Sequence, residues 1–218
     1  MVRFEQAAGI EVTIVPYRGS GSAMRDLIGG QIDDFIEAPL SGASTQIADG
    51  EATLLLGGDS AAIALAAPLL QAIAKRQFHV GGAGTGAKAK LATNLVLGLN
   101  RAALAEGMVF AQMPGIEPAR FLALVQNSPA NSGASAAKGE MMVALLNGDA
   151  VPTQSRIRQH LKDVDLMVAA AGARQQALPL SETHAKLMRE AVQFGEGDLD
   201  NAAIIHRIAA SRRLPDAV

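Results

Sequence analysis

The sequence has 218 residues, a formal net charge of -2 and no cysteine, and its residues are 49% hydrophobic and 18% charged. This balance is typical of a folded globular protein with one large or two small domains. The weak charge and the 3% aromatic content argue against nucleic-acid and anionic-membrane partners, and the missing thiols exclude disulfides and Cys-ligated metal. We expect no signal peptide and no membrane span, and therefore a cytoplasmic protein, because the longest apolar run covers only residues 61–70 and contains Pro68.

The first part of the chain alternates between strand and helix patterns. β-branched or continuous apolar runs predict four strands. One predicted helix joins the first strand to the second, and another joins the third to the fourth. The predicted strands are residues 11–16, 32–38, 52–58 and 77–82. The second strand is expected to stop at Pro39, and Asp59 is the expected N-cap of a helix over residues 60–76. The pattern predicts an α/β domain over residues 1–82, with a parallel βαβ unit at its start.

From residue 83 to residue 218 the pattern predicts helices alone, which defines a second domain. The apolar spacing follows a 3.6-residue period through most of this part. The predicted helices are residues 87–113, 117–127, 155–174, 181–194 and 201–212, with a short one inside 139–149. Residues 128–139 are expected to form a loop, and Ser181 is expected to cap the helix that it begins.

The sharpest motif lies at the join of the two domains. Gly84 and Gly86 form a glycine turn before a helix that carries Lys90 and, four residues later, Asn94. Residues four apart share one helix face, so an ammonium and an amide lie together there. Such a pair can hold the hydroxyl and carboxylate of a small acid. Spacing alone leaves a second interpretation open, a glycine linker followed by a solvated basic helix start.

This G-x-G-x-x-x-K-x-x-x-N pattern resembles the catalytic signature of the β-hydroxyacid dehydrogenases, the family of 3-hydroxyisobutyrate dehydrogenase and tartronate semialdehyde reductase. By this resemblance, Lys90 is the catalytic acid or base at the substrate hydroxyl. Asn94 orients the substrate, and Gly84 is expected at the cofactor. 6-Phosphogluconate dehydrogenase is a more distant relative of the same family.

A second motif upstream carries the same resemblance. Residues 35–43 read FIEAPLSGA and resemble the family's substrate motif, F-[VL]-D-A-P-V-S-G-G. Ser41 and Gly42 would offer a hydroxyl and a backbone N–H to the substrate carboxylate. The sequence departs from the family pattern at Glu37, where Asp is usual, and at Ala43, where Gly is usual. The other interpretation is a strand end followed by an ordinary turn.

Three further segments match the family in the family's order. Residues 50–59 resemble a structural strand segment, and the segment from Gly195 to Asp200 resembles the family's closing motif. Lys162 and Asp163 match the K-D pair that in this family usually lies near the nicotinamide. The other interpretation is an ordinary pair of charged residues on an exposed helix surface. Asp198 and Asp200 are expected to cap helices, and no metal site is expected.

Together the matches cover residues 34–212 and imply a fold and a function. The implied fold is an α/β remnant of a Rossmann domain with three to five strands, followed by an all-α domain like that of 6-phosphogluconate dehydrogenase. The implied activity is NAD- or NADP-dependent oxidation of a small 3-hydroxy acid, or reduction of the semialdehyde. By analogy the all-α domain mediates subunit contact, so a homodimer or higher homo-oligomer is expected.

The first 34 residues do not follow the family. A complete member begins with a G-x-G-x-x-G turn over the cofactor pyrophosphate, and residues 19–24 supply only the first two glycines. Residues 9–34 instead resemble a short stretch of the periplasmic solute receptors of tripartite tricarboxylate transporters. The sequence thus looks like a junction between a receptor fragment and a shortened dehydrogenase. Two alternatives to an active enzyme stay open: an inactive relic that acts only as a dimerising domain, and a small-acid binding module.

Overall fold

A computed structural model describes residues 36–42 and 47–211 of the chain. The fold consists of two compact units that divide between Ala92 and Thr93, inside one long helix. The receptor-like stretch over residues 9–34, the glycines of residues 19–24 and Ala43 lie outside the described residues. The domain boundary expected after residue 82 rests on a change in the sequence pattern, and it stays a prediction.

The described part of the first unit contains a three-stranded sheet with two short helices. The strand order is β1-β2-β3; β1 runs antiparallel to β2, and β3 runs parallel to it. Leu54 and Leu56 of β2 are buried with Leu70 and Ala74, and this cluster forms the core of the unit. The elements are β1 (Leu40–Ser41), β2 (Thr53–Gly57), α1 (Ser60–Leu65), α2 (Ala67–Ile73) and β3 (Arg76–Gly81).

Two expectations for this unit were wrong, and both concern a proline. Pro39 does not end the strand, because its carbonyl accepts a hydrogen bond from the Leu55 N–H and the chain continues beside β2 into Leu40. The helix expected over residues 60–76 is broken at Ala66, since Pro68 in the first turn of α2 cannot continue the preceding helix. The N-cap at Asp59 is confirmed: its carboxylate accepts from the N–H groups of the next helix at 2.8 and 3.3 Å.

The named elements of the second unit's described residues are all helices, as the 3.6-residue period predicts. Its helices begin and end within a few residues of the predicted bounds, except for the third. The elements are α3 (Thr85–Gln112, shared with the first unit), α4 (Pro118–Gln126), α5 (Gly133–Leu146), α6 (Ile157–Gly172), α7 (Pro179–Gln193), a 3₁₀ turn (Asn201–Ala203) and α8 (Ile204–Ala210).

Helix α5 occupies most of the segment that was expected to be a loop. Ser132 and Ser135 form a reciprocal capping box that begins the helix. The small residues that suggested a loop serve close packing instead, because a Cβ at Gly139 would lie 2.3 Å from a methyl of Leu122 on α4. Ser181 is likewise not a cap: α7 begins at Pro179, and Ser181 is buried in its first turn.

Among the described residues, no helix has the length and apolar character needed to cross a membrane.

Candidate functional site

The turn before α3 lies directly on the end of strand β2. Gly84 has a φ of +86°, a conformation that favours glycine. A Cβ at Gly86 would lie 2.7 Å from the Leu55 carbonyl oxygen, and one at Gly57 would lie 2.6 Å from the Gly86 nitrogen. A side chain at Gly86 or Gly57 would collide with the backbone of the other segment, so the close packing of these segments requires glycine at both positions. The packing fixes the start of α3 against the sheet.

Lys90 is half-buried in the second turn of α3, and its ammonium donates a hydrogen bond to the carbonyl oxygen of Leu40. Leu40 directly precedes Ser41, so the structure brings the predicted catalytic lysine to the predicted substrate motif. The two segments are 50 residues apart in sequence. Their meeting depends on β1 pairing with β2 and on α3 starting at the end of β2.

The predicted substrate motif lies at the short strand β1. Ser41 pairs with Thr53 across the ladder and is half-buried, and Gly42 is exposed just beyond it. Glu37 precedes them and exchanges two backbone hydrogen bonds with Gly57, at 2.8 and 2.9 Å. One Glu37 carboxylate oxygen, Oε2, is buried with no hydrogen-bond partner among the described residues. The site therefore has a lysine, a serine and a carboxylate around the start of α3.

The other predicted site residues belong to the helical unit. Asn94 is half-buried on α3, one turn beyond Lys90 along the same helix. Lys162 is exposed on α6. Its role near a nicotinamide stays a prediction.

Asp200 and Asp198 play different parts. Asp200 caps the 3₁₀ turn by accepting from the Ala202 N–H, as predicted, and it also forms a buried ion pair with Lys138 at 2.8 Å. Burial alone would raise the pKa of Asp200, but hydrogen bonds from Lys138 and from backbone N–H groups outweigh burial and lower it. Asp198 caps no helix; it forms exposed ion pairs with Arg156 and Arg158, so that prediction was wrong.

Sequence reasoning missed a buried polar cluster in the helical unit, formed by Arg101, His160 and His184. Arg101 lies on the buried stripe of α3 that also contains Gly98 and Ala105. A charged residue at a core position of a periodic helix was the signal that could have revealed the cluster. The two histidines lie on α6 and α7, and no spacing in the sequence relates them to Arg101.

The cluster shifts the pKa of every member downward. Burial lowers the pKa of His160 to about 3, with further lowering by the charge of Arg101 and by His184. Burial and the Arg101 charge lower the pKa of His184 to about 4. Burial also lowers the pKa of Arg101 to about 10, against the raising effect of the Asp200 carboxylate. At neutral pH the histidines are therefore neutral and the arginine is charged.

A dinucleotide needs a cradle of backbone N–H groups for its pyrophosphate, usually where a strand turns into a helix. The turn from β2 to α1 does not fit, because the Asp59 carboxylate already accepts from the first N–H groups of α1 and would repel a phosphate. At the start of α3, Gly86 packs against the backbone of β2. The described residues thus include most of the predicted substrate motif and Lys90, but no fitting pyrophosphate cradle.

Comparison with known families identifies the chain. Residues 84–208 match the model of the NAD-binding domain of NADP-dependent 3-hydroxyisobutyrate dehydrogenase, and residues 23–82 match that of the NAD-binding domain of 6-phosphogluconate dehydrogenase. The chain belongs to the β-hydroxyacid dehydrogenase family, whose cofactor is NAD or NADP. The second match begins at residue 23 and so overlaps the receptor-like stretch.

Individual relatives agree with this family. Glyoxylate/succinic semialdehyde reductase 2 of Arabidopsis thaliana is 30% identical over 85% of this chain and 52% of its own length. The 2-hydroxy-3-oxopropionate reductase of Escherichia coli is 28% identical over 80% and 59% of the two lengths. The crystal structure of 3-hydroxyisobutyrate dehydrogenase from Salmonella typhimurium superposes with a TM-score of 0.71 at 28% identity, covering 85% of this chain and 65% of that one. The chain thus spans between half and two thirds of these relatives' lengths.

Proposed function

We propose that this protein oxidises a small 3-hydroxy acid such as 3-hydroxyisobutyrate, or reduces the corresponding semialdehyde, with NAD or NADP. The observation that carries the proposal is the hydrogen bond from the Lys90 ammonium to the carbonyl of Leu40. This contact supports the proposal because Leu40 directly precedes Ser41 and because the chain belongs to a family of NAD(P)-dependent dehydrogenases. Proton transfer of this kind contributes about 10²–10⁴-fold to a rate.

In this proposal each site residue has a role. The nicotinamide supplies the hydride acceptor or donor when it is bound. Lys90 takes the proton from the substrate hydroxyl during oxidation and returns it during reduction. The Ser41 hydroxyl and the Gly42 N–H hold the substrate carboxylate, and Asn94 orients the substrate. Gly84 and Lys162 are proposed to lie at the cofactor.

The names of the relatives support the substrate class. They include a glyoxylate/succinic semialdehyde reductase, a 2-hydroxy-3-oxopropionate reductase and L-threonate dehydrogenases, all named for small acids. We further propose that the protein acts in the cytoplasm as a homodimer or higher homo-oligomer. Size-exclusion chromatography with light scattering tests the oligomeric state.

The second candidate function is a folded relic without catalysis, which acts only as a dimerising domain. It is favoured by the missing pyrophosphate cradle among residues 36–42 and 47–211, where the Asp59 carboxylate occupies the start of α1. The pyrophosphate anchors a large part of the cofactor, so its loss would weaken binding severely. An active enzyme needs this anchor from outside the described residues or from a partner chain.

The test is turnover of a panel of 3-hydroxy acids and semialdehydes, followed by the absorbance of NADH and NADPH. Lys90→Ala is expected to lower kcat by about 10²–10⁴-fold. Lys90→Arg should be as inactive but better folded, because arginine keeps a hydrogen-bond donor and does not release its proton near neutral pH. Lys88→Ala, an exposed lysine on the same helix, is the matched control and should retain activity. Equal rates for Lys90→Ala and the wild type would refute the role of Lys90, and no turnover of any substrate would favour the relic.

A further inference from the structure

Three polar side chains meet inside the helical unit, away from the proposed catalytic lysine. Arg101 is 5% exposed, His160 8% and His184 3%. The Arg101 Nη2 atom lies 3.0 Å from the Nε2 atom of His160, and the two imidazole rings lie 5.5 Å apart, tilted by 59°. Because the guanidinium can only donate, Nε2 of His160 is the acceptor.

This cluster carries a positive charge without a contacting counterion. The Asp200 carboxylate is the acidic group that acts on Arg101, but it already accepts two hydrogen bonds from the Lys138 ammonium, at 2.8 and 2.9 Å. No carboxylate among the described residues forms an ion pair with Arg101. Buried charges in proteins are normally paired, so an unpaired guanidinium at this depth is costly.

Several buried hydrogen-bonding atoms of the cluster also have no partner among the described residues. The Nε of Arg101 and both ring nitrogens of His184 are buried with no partner among residues 36–42 and 47–211. Because Gly98 has no side chain, the two imidazole rings can approach the backbone of α3 closely: a Cβ there would lie 2.6 Å from Nε2 of His160 and 3.6 Å from Nε2 of His184. At least one guanidinium N–H and one imidazole N–H therefore lack an acceptor.

We propose that Arg101, His160 and His184 form a binding site for one small carboxylate. A single carboxylate neutralises the charge of Arg101, and its two oxygens match the fork of a guanidinium. Its oxygens also accept the spare N–H of His184. The carboxylate is that of a free small acid, because all three side chains belong to the helical unit. This binding site does not depend on the proposed function.

The test follows the histidine ring resonances of the full chain by NMR during titration with sodium malonate and sodium acetate, against sodium chloride at equal ionic strength. We expect saturable shifts of His160 and His184, no shift of the exposed His79, and a rise in the thermal midpoint. Arg101→Met should abolish these responses. Arg120→Met removes an exposed arginine from the same unit and should keep them.

Three results would overturn the proposal. One is the absence of a saturable shift with either carboxylate, which would mean that bound water satisfies the cluster. Another is an equal response to chloride, which would mean an adventitious ion only. The third is an unchanged response in Arg101→Met. If Arg101→Met does not fold, Arg101→Lys serves, because it keeps the charge but loses the fork and should bind about tenfold more weakly.

Kinetics then separate binding at the cluster from binding at the proposed catalytic site. Binding at the cluster is expected to change kcat or thermal stability and to leave KM unchanged. A malonate effect on KM alone, equal in the wild type and in Arg101→Met, would contradict binding at the cluster. The NMR titration needs no turnover, so loss of the catalytic proposal and loss of this proposal would be told apart.

Discussion

Mild acid should destabilise this protein strongly, because two histidines are buried in their neutral form. The pKa of His160 is lowered from 6.5 to about 3, and that of His184 from 6.5 to about 4. As the pH falls below 6.5, the unfolded chain binds protons at both positions and the folded chain does not. Stability is therefore complete above the unfolded pKa and is lost as the pH falls toward the folded values.

The magnitude follows from proton linkage. Between about pH 7 and about pH 5, each histidine removes about 2 kcal/mol from the free energy of unfolding, so the pair removes about 4 kcal/mol. That is a large share of the 5–15 kcal/mol, roughly, that stabilises a typical domain. Asp200 adds to this loss only at lower pH: hydrogen bonds from Lys138 and backbone N–H groups lower its pKa against the effect of burial, so the stability that it contributes is lost once the pH falls through the ordinary range of a carboxyl.

The assay is urea unfolding at several pH values, followed by far-UV circular dichroism in buffers without carboxylates. His184→Asn should reduce the pH-dependent loss by about half, because one of the two titrating groups is gone. His79→Asn, an exposed histidine in the other unit, is the matched control and should leave the slope as in the wild type. A wild-type free energy of unfolding that is flat between about pH 7 and about pH 5 would refute the burial of two neutral histidines.

Two further predictions concern packing and charge, and both are measured by urea unfolding. Gly86→Ala should lower the free energy of unfolding by about 2–3 kcal/mol, because the new Cβ would lie 2.7 Å from the Leu55 carbonyl oxygen. Gly82→Ala is the control and should be nearly neutral, because a Cβ there has nothing within 4 Å. Equal effects of the two changes would contradict the close packing at Gly86. Lys138→Met should cost about 3–5 kcal/mol by leaving Asp200 buried without its cation, and adding Asp200→Asn should restore part of that loss. If the second change restored nothing, the ion pair would not be the cause.

Periodicity predicted the span of the helix that carries Lys90 and Asn94 well, with 87–113 expected and Thr85–Gln112 observed. It did not predict which side of this helix is buried, because Phe110 is exposed and Arg101 is buried. The segment around Gly139 failed for a physical reason: small residues are typical of loops, but here they let α5 approach Leu122 on α4. A sequence window does not reveal which neighbour a residue packs against.

The candidate site was predicted in part. The lysine and serine motifs were found separately in the sequence, and the structure joins them through the hydrogen bond from Lys90 to Leu40. The cluster of Arg101, His160 and His184 was not found, because it depends on three helices packing together and carries no motif. Tertiary packing decides which polar side chains lose water, and that information is not local in sequence.

The central claim is that this chain works as an NAD(P)-dependent dehydrogenase, and cofactor binding tests it most directly. The measurement is titration of the purified full chain with NADH and with NADPH, followed by nicotinamide fluorescence. The account predicts saturable binding in the micromolar range for one of the two. No binding at millimolar concentrations of either would contradict it, and would leave a folded member of the family without the family's chemistry.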